Sequence, residues 1–200
     1  NINGPIQDNI DVVPKYKVNK ANFTQNFNFT TAKIKAHGRF LGLIINGDMS
    51  QLVIGTNHDD SGVTVDKVVT VEDIPNLHCY DVDEILTRNN TFAVIDCGTM
   101  KMGELVENHF LYVDLSTGQK ILGGKTTDAF VNYNHVSKRN IEVIEDPFNR
   151  VLYILRIIPR DGVDQAHRNN TYIEVFLIRN ALDPQILDVI DYTFIGEKSL

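Results

Sequence analysis

One order of β-strands recurs three times along the chain, and this repeat limits the possible folds more than any other feature. In each unit, a strand that alternates apolar and polar residues precedes two nearly continuous apolar runs and a fourth strand. Apolar runs without alternation are typical of strands buried on both faces, and their Val, Ile, Phe and Tyr content favours β-structure. The predicted strands are 31–36, 39–45, 51–55 and 63–71 in the first unit, 78–86, 91–96, 109–115 and 119–122 in the second, and 140–145, 150–155, 171–178 and 186–190 in the third.

The segments between these runs have the composition of turns and loops. Residues 116–118 (Ser-Thr-Gly) and 146–149 (Asp-Pro-Phe-Asn) indicate tight turns, because Gly tolerates positive φ and Pro fixes φ for a turn. Longer loops are predicted at 98–108 and 159–170. The best window for a helix, 99–108, is too short to be stable alone.

We therefore predict an all-β chain of about three four-stranded antiparallel blades of the β-propeller type. A polar N-terminal segment covers 1–28, and the blades cover about 29–74, 75–136 and 137–200. A β-sandwich or barrel also has short strands at regular spacing and is the alternative. Because a closed propeller typically has about 4 to 8 blades, we expect the three units to belong to a larger chain or to be completed by further copies or another protein.

A narrower resemblance lies in the second unit, between residues 89 and 121. One strand there ends in Val-Ile-Asp-Cys-Gly (94–98), a loop follows, and the next strand ends in Tyr-Val-Asp-Leu (112–115) before a Thr-Gly turn. This arrangement is similar to the insect yellow and major royal jelly proteins, although the chain has no Trp where that family has one in the first strand. The resemblance implies a secreted, non-catalytic binder of small molecules or partner proteins.

The two cysteines of the chain are predicted to form a disulfide bond. If the first two strands of the second unit form a hairpin that turns around residues 87–90, Cys79 and Cys97 lie opposite each other on neighbouring strands. Opposed residues of antiparallel strands have a Cα spacing that a disulfide accepts. Such a bond would stabilise the fold by roughly 2 to 4 kcal/mol. Two buried, reduced thiols are the alternative.

Four Asn-x-Ser/Thr sequons predict N-glycosylation, and all of them lie outside the apolar strands. Together with a disulfide, glycosylation would place the protein outside the cell or on its surface, by way of the secretory pathway. The asparagines are Asn22, Asn28, Asn89 and Asn169.

No combination of residues predicts a catalytic, cofactor or metal site. Residues 58–62 (His-Asp-Asp-Ser-Gly) offer carboxylates to a cation such as Ca²⁺, but such runs are typical of solvated loops. Residues 123–126 (Gly-Gly-Lys-Thr) lack the earlier Gly of a phosphate-binding loop. Asp96 and Asp114 are predicted to end two central strands. They are candidates for catalytic carboxylates, but we favour the interpretation that they accept turn hydrogen bonds.

Charge and hydropathy argue against nucleic acid as the main partner and against a membrane-spanning helix. A formal net charge of −7 argues against nucleic acid, which needs a basic surface, and no apolar run approaches the roughly 20 residues of a membrane-spanning helix. The sequence therefore predicts a non-catalytic, secreted or cell-surface glycoprotein module that binds a partner protein or small ligand, or builds an extracellular assembly. An extracellular propeller enzyme of the calcium-dependent hydrolase type and an intracellular propeller scaffold are the alternatives.

Overall fold

The computed structural model of the 200-residue chain describes nine stretches of it, and all structural statements concern these stretches. They are residues 28–46, 49–58, 62–71, 74–86, 90–126, 139–146, 151–158, 170–178 and 188–197. The chain divides into two compact units, residues 1–75 and 76–200. The first unit contains one sheet and the second unit contains two.

Each of the three sheets has four antiparallel strands, and strands that follow each other in sequence are neighbours in the sheet. This confirms the predicted repeat of one four-stranded order. The first sheet comprises β1 (Thr31–Ile34), β2 (Arg39–Asn46), β3 (Met49–Asn57) and β4 (Val63–Thr70). The second comprises β5 (Leu77–Leu86), β6 (Thr91–Lys101), β7 (Glu104–Asp114) and β8 (Lys120–Leu122). The third comprises β9 (Asn140–Asp146), β10 (Val151–Ile158), β11 (Asn170–Ile178) and β12 (Asp188–Glu197).

The predicted loop at 98–108 is wrong, because β6 and β7 extend through it and form a tight hairpin. Lys101 pairs with Glu104, and only Met102 and Gly103 lie between them. Their φ angles are 52° and 80°, and positive φ at both central residues is what a type I′ hairpin turn requires. The polar residues of this segment ended the apolar pattern but did not end the strands.

The hairpin of β5 and β6 contains a β-bulge at Tyr80. Cys79 pairs with Cys97 as predicted, but Asp81 pairs with Asp96, so Tyr80 is an extra residue on β5. A bulge bends its strand and redirects the neighbouring side chains. Leu86 and Thr91 form the last pair before the turn, where the sequence placed it.

The first sheet carries its own apolar cluster, built from strands β1 to β4 and from Phe29 just before them. The Phe29 ring lies 5.1 Å from the ring of Phe40 and against Gly42, where any larger residue would collide with it. The buried members are Phe29, Ala32, Phe40, Val53, Val63 and Val65.

The second and third sheets share one apolar cluster within the second unit. Phe110 of β7 and Phe176 of β11 meet edge to face, with their ring centroids 5.1 Å apart. The buried members of the cluster are Ile85, Phe92, Val94, Phe110, Tyr112, Ile141, Leu152, Ile154 and Phe176.

The two sheets differ in how their central strands are buried. Residues 92–97 of β6 and 108–113 of β7 are buried on both faces of the second sheet. In β10, by contrast, buried residues alternate with partly exposed ones from Leu152 to Ile157. The prediction of doubly buried central strands is therefore right for the second sheet and wrong for the third. In the described stretches, no helix is long and apolar enough to cross a membrane.

Candidate functional site: the joint between the second and third sheets

Two aspartates of β5 bind the free edge of β9, the first strand of the third sheet. The Asp81 carboxylate accepts the amide N–H of Ile141 at 2.8 Å, and the Asp83 carboxylate accepts that of Val143 at 2.8 Å. Both donors are on an edge strand, where outward-facing amides have no ladder partner. The acidic side chains of one sheet thus take the place of a further strand.

The pairing also shows the relative direction of the two strands. Moving from Asp81 to Asp83 on β5 corresponds to moving from Ile141 to Val143 on β9, so the two first strands run parallel. Each carboxylate also accepts an amide of its own strand, from Val82 at 2.9 Å and from Glu84 at 2.7 Å. The aspartates are therefore fixed on both sides of the joint.

Asp96 is the centre of a buried ion network in the same joint. Its Oδ1 accepts hydrogen bonds from Arg139 Nη2 and from Arg156 Nε, each at 3.1 Å. The Asp96 and Arg156 side chains are fully buried, and that of Arg139 is 2% exposed. The prediction that Asp96 ends a strand and accepts turn hydrogen bonds is wrong, because β6 continues to Lys101 and Asp96 lies at its middle.

The guanidinium groups of Arg139 and Arg156 also lie beside other polar side chains. Arg139 Nη1 donates to Asn108 Oδ1, and Arg156 Nη2 donates to Thr126 Oγ1 at 3.2 Å. Arg156 Nη1 lies 3.5 Å from Glu174 Oε2 on the neighbouring strand β11. Two arginines and the two acids, Asp96 and Glu174, give this group a formal charge of zero.

Aromatic rings cover both guanidinium groups. The Arg139 guanidinium lies 3.8 Å from the centroid of the Tyr80 ring. That of Arg156 lies 4.7 Å from the Phe110 ring and 4.9 Å from the Phe176 ring. Cation–π contacts of this kind strengthen when they are desolvated. The bulge at Tyr80 therefore has a role. It places the Tyr80 ring beside Arg139, and it directs Asp81 and Asp83 toward β9.

Burial shifts the ionisation of the tyrosines that border the network. Desolvation raises the pKa of Tyr112 well above its ordinary value, and it raises the pKa of Tyr80 against the opposing effect of Arg139. The Tyr112 hydroxyl and Asp96 Oδ2 are both buried, and neither has a hydrogen-bond partner in the described stretches. Because the pKa values of Tyr80 and Tyr112 lie above the ordinary value, both tyrosines stay neutral at physiological pH.

The chemistry of the joint is that of a structural connection between sheets. Its carboxylates are bound to backbone amides and arginines, and burial removes Asp96, Arg156 and Glu174 from solvent entirely. In such surroundings an ion pair stabilises only when its partners are complete, since a lone buried charge is costly. No group of three or more His, Cys, Asp or Glu residues able to hold a metal ion occurs in the described part of the chain.

Cys79 and Cys97 occupy the opposed positions that the sequence predicted, but their sulfurs are not bonded to each other. Both are buried, and the Cys97 thiol lies 3.5 Å from the His109 carbonyl oxygen, to which it donates. Desolvation, followed by the nearby Cys79, raises the pKa of Cys97 well above its ordinary value. The disulfide therefore stays a prediction.

Asp114 ends β7 and accepts turn hydrogen bonds, as the favoured interpretation required. Its Oδ1 accepts the Ser116 hydroxyl at 2.6 Å, the Ser116 amide at 2.8 Å and the Thr117 amide at 3.1 Å. The Ser116 hydroxyl bond is the main reason why the pKa of Asp114 lies below its ordinary value. Asp114 and Asp96 are thus used for different structural purposes.

Of the four sequon asparagines, Asn28 lies in the described stretches, and it is exposed. The hydroxyl of Thr30, the third residue of its sequon, accepts the Ile45 amide at 3.0 Å. Asn22, Asn89 and Asn169 lie outside the described residues, as does most of the 58–62 loop considered for Ca²⁺.

Comparison of the chain with protein-family models, with curated proteins and with solved structures gave no match.

Sequence reasoning did not find the arginines and acids of the joint. The signals were a charged residue, Arg156, within the apolar run of β10, and acids at alternate positions of β5, Asp81 and Asp83. Both patterns contradict a simple apolar core. Polar side chains at core positions indicate a buried network.

Proposed function

We propose that the chain is a non-catalytic, propeller-type module of a secreted or cell-surface glycoprotein. It acts by binding a partner protein or a small ligand, or by building an extracellular assembly. The observation that carries this proposal is the joint between the second and third sheets. There, consecutive sheets stack face to face, and their first strands run parallel and are joined by Asp81 and Asp83.

The stacking favours blades over a sandwich because each sheet is complete in sequence order. In the β-sandwiches with Greek-key connections, strands that follow each other in sequence cross between the two sheets. In this chain each sheet uses four successive strands, as propeller blades do.

The extracellular location is supported by two features, an exposed sequon asparagine and a pair of opposed cysteines. Asn28 is exposed at the start of the first sheet, where a glycan would meet solvent. Cys79 and Cys97 lie opposite each other on β5 and β6, which is the arrangement that a disulfide bond in an oxidising compartment requires. The intracellular scaffold is the second candidate, and the two unbonded thiols favour it.

The deciding experiment is the intact mass of the natural protein, non-reduced, before and after enzymatic removal of N-glycans. We expect a loss of mass on deglycosylation and a Cys79–Cys97 link in peptide mapping. The variant Asn28→Gln should remove one glycan, whereas Asn26→Gln, which changes no sequon, should remove none. An unchanged mass together with free thiols would contradict secretion and leave the intracellular scaffold.

A further inference from the structure

The outward face of the third sheet is apolar and partly exposed. We define it as the face opposite the one that packs on the second sheet. On β10 and β11 it presents pairs of aliphatic and aromatic residues, since Tyr153 pairs with Leu177 and Leu155 with Val175. All four are partly exposed, and Ile144 on the adjacent strand β9 is 47% exposed. The apolar residues of the face are Ile144, Tyr153, Leu155, Ile157, Val175 and Leu177.

Part of this face resembles the face of the second sheet on which the third sheet packs. On the second sheet, Ile85 lies opposite the aromatic Phe92, and the acid Asp83 lies opposite the aliphatic Val94. On the third sheet, Ile144 lies opposite the aromatic Tyr153.

The acid recurs as well, because Glu142 of β9 lies opposite the aliphatic Leu155. In both sheets the isoleucine and the acid are two residues apart on the first strand and share one face. Over these two residue pairs the two faces offer a neighbouring sheet the same kinds of side chain. At the next pair the third sheet has Asn140 and Ile157 where the second sheet has Asp81 and Asp96. The face of the second sheet that carries Ile85 and Asp83 is covered by the third sheet, and Asp83 accepts a hydrogen bond from a β9 amide.

We propose that the outward face of the third sheet is a docking surface for a four-stranded sheet from a second copy of this chain. The proposal rests on the proposed propeller-type stacking, and it names the partner for that function. The joint between the second and third sheets shows that sheets of this chain's own repeat fit each other at these positions. A second copy carries three such sheets and is therefore a chemically matched partner.

The charge distribution of the face suits self-association despite the formal net charge of −7. Among the side chains described on this face, the centre is uncharged and the acid Glu142 stands at the β9 edge. Apolar centres with charges at the rim are the usual composition of protein interfaces. In the joint between the second and third sheets, Asp83 at the corresponding place accepts a hydrogen bond from an edge-strand amide. In the assembly, Glu142 accepts such a hydrogen bond from the docked sheet.

The test is sedimentation velocity of the full chain over a wide concentration range, with the protein itself as the only probe. We expect reversible association above the monomer mass of 22.6 kDa. The variant Ile144→Lys should weaken association by roughly tenfold or more, the scale of one interfacial anchor residue. Leu155→Asp should abolish it. The matched control is Leu122→Asp, which changes a 42% exposed leucine on β8 outside the face and should associate as the unchanged chain does.

Thermal unfolding of each variant distinguishes lost docking from lost folding. Ile144 is about half exposed, so Ile144→Lys should leave the melting temperature of the monomer nearly unchanged. A chain that stays monomeric at every concentration would overturn the proposal, as would association that Ile144→Lys and Leu155→Asp leave intact. Either result leaves the glycan and disulfide test of the proposed function unaffected, so the two failures can be told apart.

Discussion

The second and third sheets are built from the same strand order, yet they use their charged residues and their faces differently. In the second sheet both faces of the central strands are buried, and its acids Asp81, Asp83 and Asp96 are bound to the third sheet. In the third sheet one face is buried and the other carries partly exposed apolar residues. The difference teaches that one strand order can form a sheet that is covered on both faces or a sheet that leaves one apolar face partly exposed.

The largest effect on stability is expected at the buried ion network around Asp96, between the second and third sheets. Asp96→Ala should lower the free energy of unfolding by about 3–5 kcal/mol, because it leaves the Arg139 and Arg156 guanidinium groups buried without their shared carboxylate. Chemical denaturation measures this. The double variant Asp96→Ala with Arg156→Leu should recover part of the loss. A loss below that of an ordinary surface substitution would contradict the assigned role of Asp96.

A matched pair of isoleucines compares the face of the second sheet that the third sheet covers with the outward face of the third sheet. Ile85→Ala should cost about 2–5 kcal/mol, because the side chain is fully buried and its removal leaves a cavity. Ile144→Ala should cost about 0.5 kcal/mol or less in the monomer, because its side chain is 47% exposed. Both are measured by thermal unfolding at low protein concentration. Equal costs would show that the outward face of the third sheet is already covered within the monomer.

The two first-strand acids form a second matched pair with a smaller effect. Asp83→Ala should cost about 1–3 kcal/mol, since it removes the acceptor of the Val143 amide in a partly buried place. Glu142→Ala, at an exposed position, should stay within about 0.5 kcal/mol of the unchanged monomer. If Glu142→Ala is the more costly change in denaturant unfolding of the monomer, the comparison of the two faces is wrong.

The smallest effect concerns Asp114, a carboxylate outside the joint. Its pKa is lowered in the folded chain, so its stabilising contribution is present above its ordinary pKa and disappears as the pH falls through the lowered value. Asp114→Ala should cost about 1 kcal/mol at neutral pH, and the difference from the unchanged chain should vanish in strong acid. A pH series of unfolding curves measures both. A difference that persists or grows in acid would contradict the turn assignment.

The strand repeat was predictable because its signals are local: each strand is an apolar or alternating run, and turn residues separate one run from the next. The opposed cysteines were predicted from the turn between β5 and β6, but the turn alone does not place them. Counting back from the Leu86–Thr91 pair puts Cys79 opposite Gly98, and the bulge at Tyr80 brings Cys79 opposite Cys97. Strand ends were less predictable, because β6 and β7 continue past the core into polar residues around Met102 and Gly103, and hydrogen bonds to a partner strand need no apolar side chain.

The joint could not be predicted because its partners are far apart in sequence. Asp96 lies 43 residues from Arg139 and 60 from Arg156. Nothing local links such positions, and only the stacking of two sheets brings them together. The bulge at Tyr80 is equally hidden, since one extra residue on a strand leaves the apolar pattern almost unchanged.

The most direct test of the joint is native-state hydrogen exchange at the Ile141 and Val143 amides. Both lie on an edge strand, where amides that face outward are normally open to solvent. Because Asp81 and Asp83 bind them, we expect protection close to that of the ladder amides of β10. The protection of Ile141 should be lost in Asp81→Ala and that of Val143 in Asp83→Ala. Rapid exchange of both amides in the unchanged chain would contradict the account that the first strands join the two sheets.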